Sequence, residues 1–149
     1  MTEGAMLSAE DIQELVLGKL EEYEKLNVFE QYAMFMGKAQ ILEFGLKGVL
    51  SRIYGIPSES MEKWTLGQTK NKLRNEGLRP DFIDYLGRVV ECRNEMAHEI
   101  LLNTGITKLI SNFSERKLHG NLFRAIYELE QIIILYNWCE ENNGWNSSI

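Results

Sequence analysis

The chain has 149 residues, 44% of them hydrophobic, and a formal net charge of −6. That length suits a single domain able to bury a core without disulfides or a structural metal, and the acidic balance excludes a protein that coats nucleic acid through bulk attraction to phosphates. Cys92 and Cys139 stand far apart with no Cys-x-x-Cys pair, which excludes a disulfide scaffold and leads us to expect buried, reduced thiols in the cytoplasm.

Residues 1–149 are expected to form one domain, with its core between 8 and 141 and a frayed tail from 142 to 149. The acidic N-terminus is unlike a cleavable signal peptide. No segment approaches the ~20 apolar residues that a membrane helix needs, and a soluble protein with no membrane partner is expected.

Ser8 and Asp11 are spaced for a capping box, and Ile12, Leu15, Val16, Leu20 and Tyr23 follow at helical spacing. A second, longer helix is predicted from Val28 to Tyr54, with Phe29, Tyr32, Phe35, Met36, Ala39, Leu42, Leu46, Val49, Leu50 and Ile53 on its apolar face and Gly55 and Pro57 as its stop. Glu43 sits at the margin of that face, either as an ordinary boundary glutamate or as a partner for a cation such as Arg93. Gly55 to Trp64 is expected to be a loop, with Ser58 or Ser60 available as a cap. A short basic helix through about Glu76 then ends at Gly77.

Pro80 is placed for the first turn of the next helix. Phe82, Ile83, Leu86, Val89, Val90, Met96, Ala97, Ile100 and Leu101 mark its buried side, and Asn103-Thr104-Gly105 its end. Ile106 to Phe113 is a short helical turn or irregular. The last helix is expected from about Ser114 to Glu141, with Leu118, Leu122, Ala125, Leu129, Ile132, Ile133 and Tyr136 as a stripe that Phe123, Ile126 and Ile134 widen. No segment alternates as a strand. The fold class is all-α, an antiparallel bundle of four to six helices.

The second half of the Pro80 helix carries Glu91-Cys92-Arg93-Asn94-Glu95-Met96-Ala97-His98-Glu99, with one of only two histidines. Arginine keeps its charge at neutral pH and histidine titrates there, so the two together offer a phosphate-binding cation and an acid/base group. Positions five apart on a helix are separated by about 140°, so Arg93 and His98 do not share a face, whereas Asn94 and His98 do. Glu91, Glu95 and His98 also match half of a di-iron bundle site. The second Glu-x-x-His that such a site needs is missing, since Arg116 stands three residues before His119; no metal and no cofactor are expected within one chain, although dimerisation would duplicate the half-site.

Arg93-Asn94-x-x-Ala97-His98, preceded by Thr65-Leu66-Gly67-Gln68, resembles the Arg-x4-His signature of HEPN domains, over roughly residues 28–141. The resemblance implies a HEPN-like helical bundle and a metal-independent endoribonuclease, a toxin or anti-phage defence component with an antitoxin or other regulatory protein as partner. It implies a homodimer with a composite site, in which Arg93, Asn94 and His98 are catalytic. A subset of the family carries a tyrosine two positions after the histidine; Ile100 stands there, so any role of that tyrosine is absent.

Lys63 to Arg79 carries five bases against Glu76 alone. Lys70, Lys72 and Arg74 are the expected contacts to an RNA substrate, the alternative for this strip being a solvated helix face. The alternative function is a non-catalytic helical dimerisation or binding module of the same fold.

Overall fold

A computed structural model describes residues 7–102 and 115–146, with side chains at 7–98 and 120–146. These residues form the expected all-α bundle: α1 (Ala9–Glu24), α2 (Val28–Tyr54), α3 (Leu66–Asn75), α4 (Pro80–Leu102) and α5 (Glu115–Asn142), with a 3-10 turn at Ser58–Met61. Asn103-Thr104-Gly105, the segment Ile106 to Phe113, Ser114, the side chains of Ile100, Arg116, Leu118 and His119, and residues 147–149 lie outside this description.

Side chains that satisfy the first free N–H groups begin three of the helices. Ser8 with Asp11 and Asn27 with Glu30 form reciprocal capping boxes. Thr65 and Gln68 do the same for α3: Thr65 Oγ1 accepts from the Gln68 N–H at 3.1 Å, and Gln68 Oε1 accepts from the Thr65 N–H at 2.8 Å. The Thr65-Leu66-Gly67-Gln68 stretch therefore has a local structural purpose. Ser58 and Ser60, the expected caps, lie in the 3-10 turn instead, where the Ser60 hydroxyl donates to the Pro57 carbonyl. Gly55 ends α2 in the left-handed conformation, φ 70°.

The last helix is the hub of the bundle, packing against α1, α2 and α4. Leu122, Ala125, Ile126, Leu129, Ile132, Leu135 and Cys139 are its buried residues. It runs parallel to α2, as Lys38 to Glu130 and Arg52 to Glu140 show, and antiparallel to α4, where Arg88 meets Glu128 and Arg79 reaches Gly144. α3 fills the space against α2 and α4. Three expected core residues, Leu15, Phe29 and Phe123, are exposed, because a helix bears a wider apolar stripe here than its neighbours cover.

The expected frayed tail is corrected at residues 143–146. Asn143 turns left-handed, φ 50°, and the Gly144 N–H returns to the Cys139 carbonyl at 2.9 Å, a helix stop that satisfies an end carbonyl. Trp145 thereby folds back into the core, 2% exposed, edge-on to Phe82 and Tyr136 at centroid distances of 5.0 and 5.2 Å. A Cβ on Gly144 would meet the Trp138 ring at 2.6 Å, so only glycine fits. Arg79 pins the turn. Its backbone N–H donates to the Trp145 carbonyl, and its guanidinium to the Gly144 carbonyl and to both Asp81 carboxylate oxygens, while lying over the Trp138 ring.

Cys92 and Cys139 are free and buried, as expected. Burial pushes the Cys139 thiol up to about 11 and raises the Tyr23, Tyr32, Tyr54 and Tyr136 hydroxyls. Each group holds its proton more tightly folded than unfolded, so its contribution is full below the unfolded value and is lost as pH rises through the folded one. The urea midpoint is expected to hold steady between roughly pH 7 and 8.5 and to fall above about pH 10, where unfolded tyrosines ionise. Tyr23→Phe should flatten that fall; an unchanged slope in the variant would contradict its assignment.

Candidate functional site

α4 is held by the inward residues Phe82, Leu86, Val89, Cys92 and Met96. With Cys92 and Met96 turned into the core, the 100° step of the helix fixes the remaining directions of the motif. Asn94 and His98 face solvent on one stripe, and Arg93 is half-buried on the flank toward α2. There its charge lowers the Tyr32 hydroxyl against the larger upward push of burial, which places the guanidinium near that ring. Within one chain Arg93 and His98 thus lie on different flanks, as helical spacing requires.

The arginines differ in what they are bound to. Arg52 pairs with Glu140, Arg79 with Asp81 and Arg88 with Glu128. Arg74, Arg93 and Arg124 have no such carboxylate partner among the described residues, and of these only Arg93 belongs to the motif. Glu43, the other candidate partner for Arg93, accepts instead from Lys47 at 3.0 Å, while the same ammonium donates to the Trp64 carbonyl.

The stripe that carries Asn94 and His98 also carries Asp84, Glu91 and Glu95, all exposed. These carboxylates bear against a bound polyanion. Cys92, just inside, has its thiol raised by burial, with Arg124 of α5 lowering it and Glu95, Glu128 and Glu91 raising it. It is a core residue. Among the described residues no group of three or more His, Cys, Asp or Glu side chains is arranged to hold a metal ion.

The basic strip does not form one track. Leu66, Thr69 and Leu73 turn α3 inward; Lys70 and Arg74, four apart, then share one flank, and Lys72 projects from the other. Lys72 is paired with Glu76 at 3.0 Å. Arg79 is consumed by the C-terminal turn.

A polar cluster that was not singled out in the sequence joins α1, α2 and α5. Glu130, 1% exposed, accepts from the Tyr23 hydroxyl at 2.6 Å and from the Lys38 ammonium at 2.7 Å. The Tyr23 hydroxyl is raised well above its ordinary value, first by burial and then by Glu130. A charged residue between Leu129 and Ile132 on an apolar stripe was the available signal. The cluster closes one end of a groove of about 390 Å³ between α1, α2 and α5, lined by Lys19, Ile41, Phe44, Ile133 and Ile134 among others. No motif residue lines it.

No helix of the described residues is long and apolar enough to cross a membrane. Comparison with protein-family models, with curated proteins and with solved structures finds no match.

Proposed function

We propose that the chain is a metal-independent endoribonuclease of the HEPN type, acting in the cytoplasm as a toxin or anti-phage defence component. The observation that carries this reading is the state of the motif: an arginine without a carboxylate partner among the described residues, about 140° around the helix from His98 of an exposed Asn94–His98 pair. Because the two functional groups leave the helix on different flanks, a productive site joins Arg93 of one copy to His98 of another, with the α4 helices meeting across a twofold axis.

In that cleft the ribose 2′-hydroxyl attacks the adjacent phosphorus. The P–O bond to the leaving 5′-oxygen breaks, giving a 2′,3′-cyclic phosphate and a free 5′-hydroxyl. His98 moves protons, Arg93 neutralises charge on the phosphoryl oxygens, and Asn94 orients the imidazole. Lys70 and Arg74 contact the RNA backbone; Lys72, on the other flank, reaches only a strand that wraps α3. An antitoxin or other regulatory protein would restrain the activity.

The test is cleavage of RNA in EDTA. His98→Ala is expected to lower the rate about 10²- to 10⁴-fold, and Arg93→Ala comparably, with unchanged circular dichroism because neither residue is in the core. Mixing the two variants should restore about a quarter of wild-type activity, since half of randomly mixed dimers regain one of two composite sites. A wild type that leaves RNA intact, or variants that cut equally well, would overturn the reading. A second reading, a non-catalytic helical dimerisation or binding module, is favoured by the exposed carboxylates of Glu91 and Glu95 on the stripe of His98, which oppose a phosphate there, and it takes over in that event.

A further inference from the structure

The turn after α5 contains Asn143-Gly144, the one Asn-Gly pair in the sequence. An asparagine side chain carries an electrophilic carbonyl within reach of the next residue's backbone nitrogen, and a following glycine leaves that nitrogen unshielded, because it has no Cβ. The helix end needs asparagine for a different reason. Asn143 is the only non-glycine residue at positive φ among the described residues, 50°, and after glycine asparagine tolerates that conformation best.

We propose that Asn143 is a site of spontaneous deamidation which the folded turn holds unreactive, and that isoaspartate formed there keeps the turn from closing again. The inference goes beyond the nuclease reading and does not rest on it. In the reaction the Gly144 nitrogen loses its proton and attacks the side-chain carbonyl carbon of Asn143. The new C–N bond closes a five-membered succinimide, the bond to the side-chain nitrogen breaks, and that nitrogen leaves with a proton gained as ammonia. Water then opens the ring at either carbonyl, giving aspartate or isoaspartate at position 143. Water is the only co-reactant, and nothing is oxidised or reduced.

Three observations supply the brake. The attacking nitrogen is engaged: the Gly144 N–H donates to the Cys139 carbonyl at 2.9 Å, so attack requires that bond to open. Gly144 is buried, and a Cβ there would meet the Trp138 ring at 2.6 Å; the glycine that makes the pair reactive is the residue that packing demands. The chain beyond it is anchored, since the Arg79 guanidinium donates to the Gly144 carbonyl at 3.1 Å and the Arg79 N–H to the Trp145 carbonyl at 3.1 Å, with Trp145 2% exposed. Asn143 itself is exposed, so water reaches the electrophile while the nucleophile is withheld. Opening of the turn therefore sets the rate.

The product does not fit the site it came from. An isoaspartyl link carries the main chain through the side-chain carbon, which lengthens the backbone by a methylene and moves the Gly144 N–H away from the Cys139 carbonyl. The added carboxylate also stands at a helix C-terminus after Glu140 and Glu141, where the dipole disfavours negative charge. Closed, the turn protects Asn143; once converted, it stays open and releases Trp145.

The test incubates the wild-type chain, Trp145→Ala and, as the unfolded reference, a peptide of residues 140–146 at mildly alkaline pH and about 37 °C, and reads isoaspartate at position 143 by peptide mapping. The wild type should react at least about tenfold more slowly than the peptide, and Trp145→Ala at least about tenfold faster than the wild type, because the population of open turn governs the rate. Arg79→Gln removes the anchor without touching the core and should also react faster than the wild type; it carries the test if Trp145→Ala does not fold. The isoaspartyl chain, separated by its added charge, should be cut by chymotrypsin after Trp145 at least about tenfold faster than the unmodified chain. A wild type that reacts as fast as the peptide, or folded variants that react no faster than the wild type, overturn the brake. Equal chymotrypsin cleavage of the modified and unmodified chains overturns the one-way step.

Discussion

Trp145→Ala is expected to lower the stability of the chain by about 4 kcal/mol, the range for emptying a fully buried large aromatic site. The ring fills the space between Phe82 of α4 and Tyr136 of α5, and its Nε1–H donates to Glu140 at 2.8 Å. Removal leaves a cavity at the junction of two helices. It also withdraws the side chain that holds the Gly144 turn against Arg79. Equilibrium urea denaturation provides the measurement, with Trp138→Ala, at a half-buried site, as the comparison of smaller effect. A loss below about 1 kcal/mol for Trp145→Ala would mean that residues 143–146 do not belong to the core.

Glu130→Ala is the other change with a large expected effect, about 3 kcal/mol. The carboxylate is the common acceptor for the Tyr23 hydroxyl and the Lys38 ammonium. Without it the hydroxyl is left buried and unpaired, although Lys38 is open enough to turn toward water. Tyr23→Phe should cost only about 1 kcal/mol, because it deletes a donor and leaves Glu130 with its lysine. The double variant Tyr23→Phe/Glu130→Leu should recover part of the loss, since an apolar pair replaces the whole buried network instead of half of it. Equal losses for Glu130→Ala and Tyr23→Phe would show that the carboxylate does not hold both donors. These measurements bear on the contacts of α5 with α1 and α2 and involve no residue of α4.

The motif itself was legible in part. The spacing of Arg93 and His98 dictates their separation around a helix wherever that helix is placed, and the inward direction of Cys92 and Met96 follows from the same 100° step. Which flank each group would occupy, and that Arg93 would lie near Tyr32 with no carboxylate to neutralise it among the described residues, depended on how α2 and α5 pack. The basic strip was legible only as composition. Its division into Lys70 with Arg74 on one flank and Lys72 on the other followed once Leu66, Thr69 and Leu73 were buried, and Arg79 left it because the distant Gly144 carbonyl needed a donor.

Helix position and helix ends are short-range matters. Ser8 with Asp11, Gly55, Gly77 and Pro80 act through backbone groups within a few residues of themselves, which is why the order of helices and the all-α class can be read directly from the chain. Burial is a long-range matter, since an apolar residue is removed from water only where another element covers it. Leu15, Phe29 and Phe123 carry the same periodic signal as true core residues yet remain exposed, whereas Trp145, beyond the last helix and outside any period, is sealed. Covering surfaces come from residues dozens of positions away, and local spacing holds no record of them.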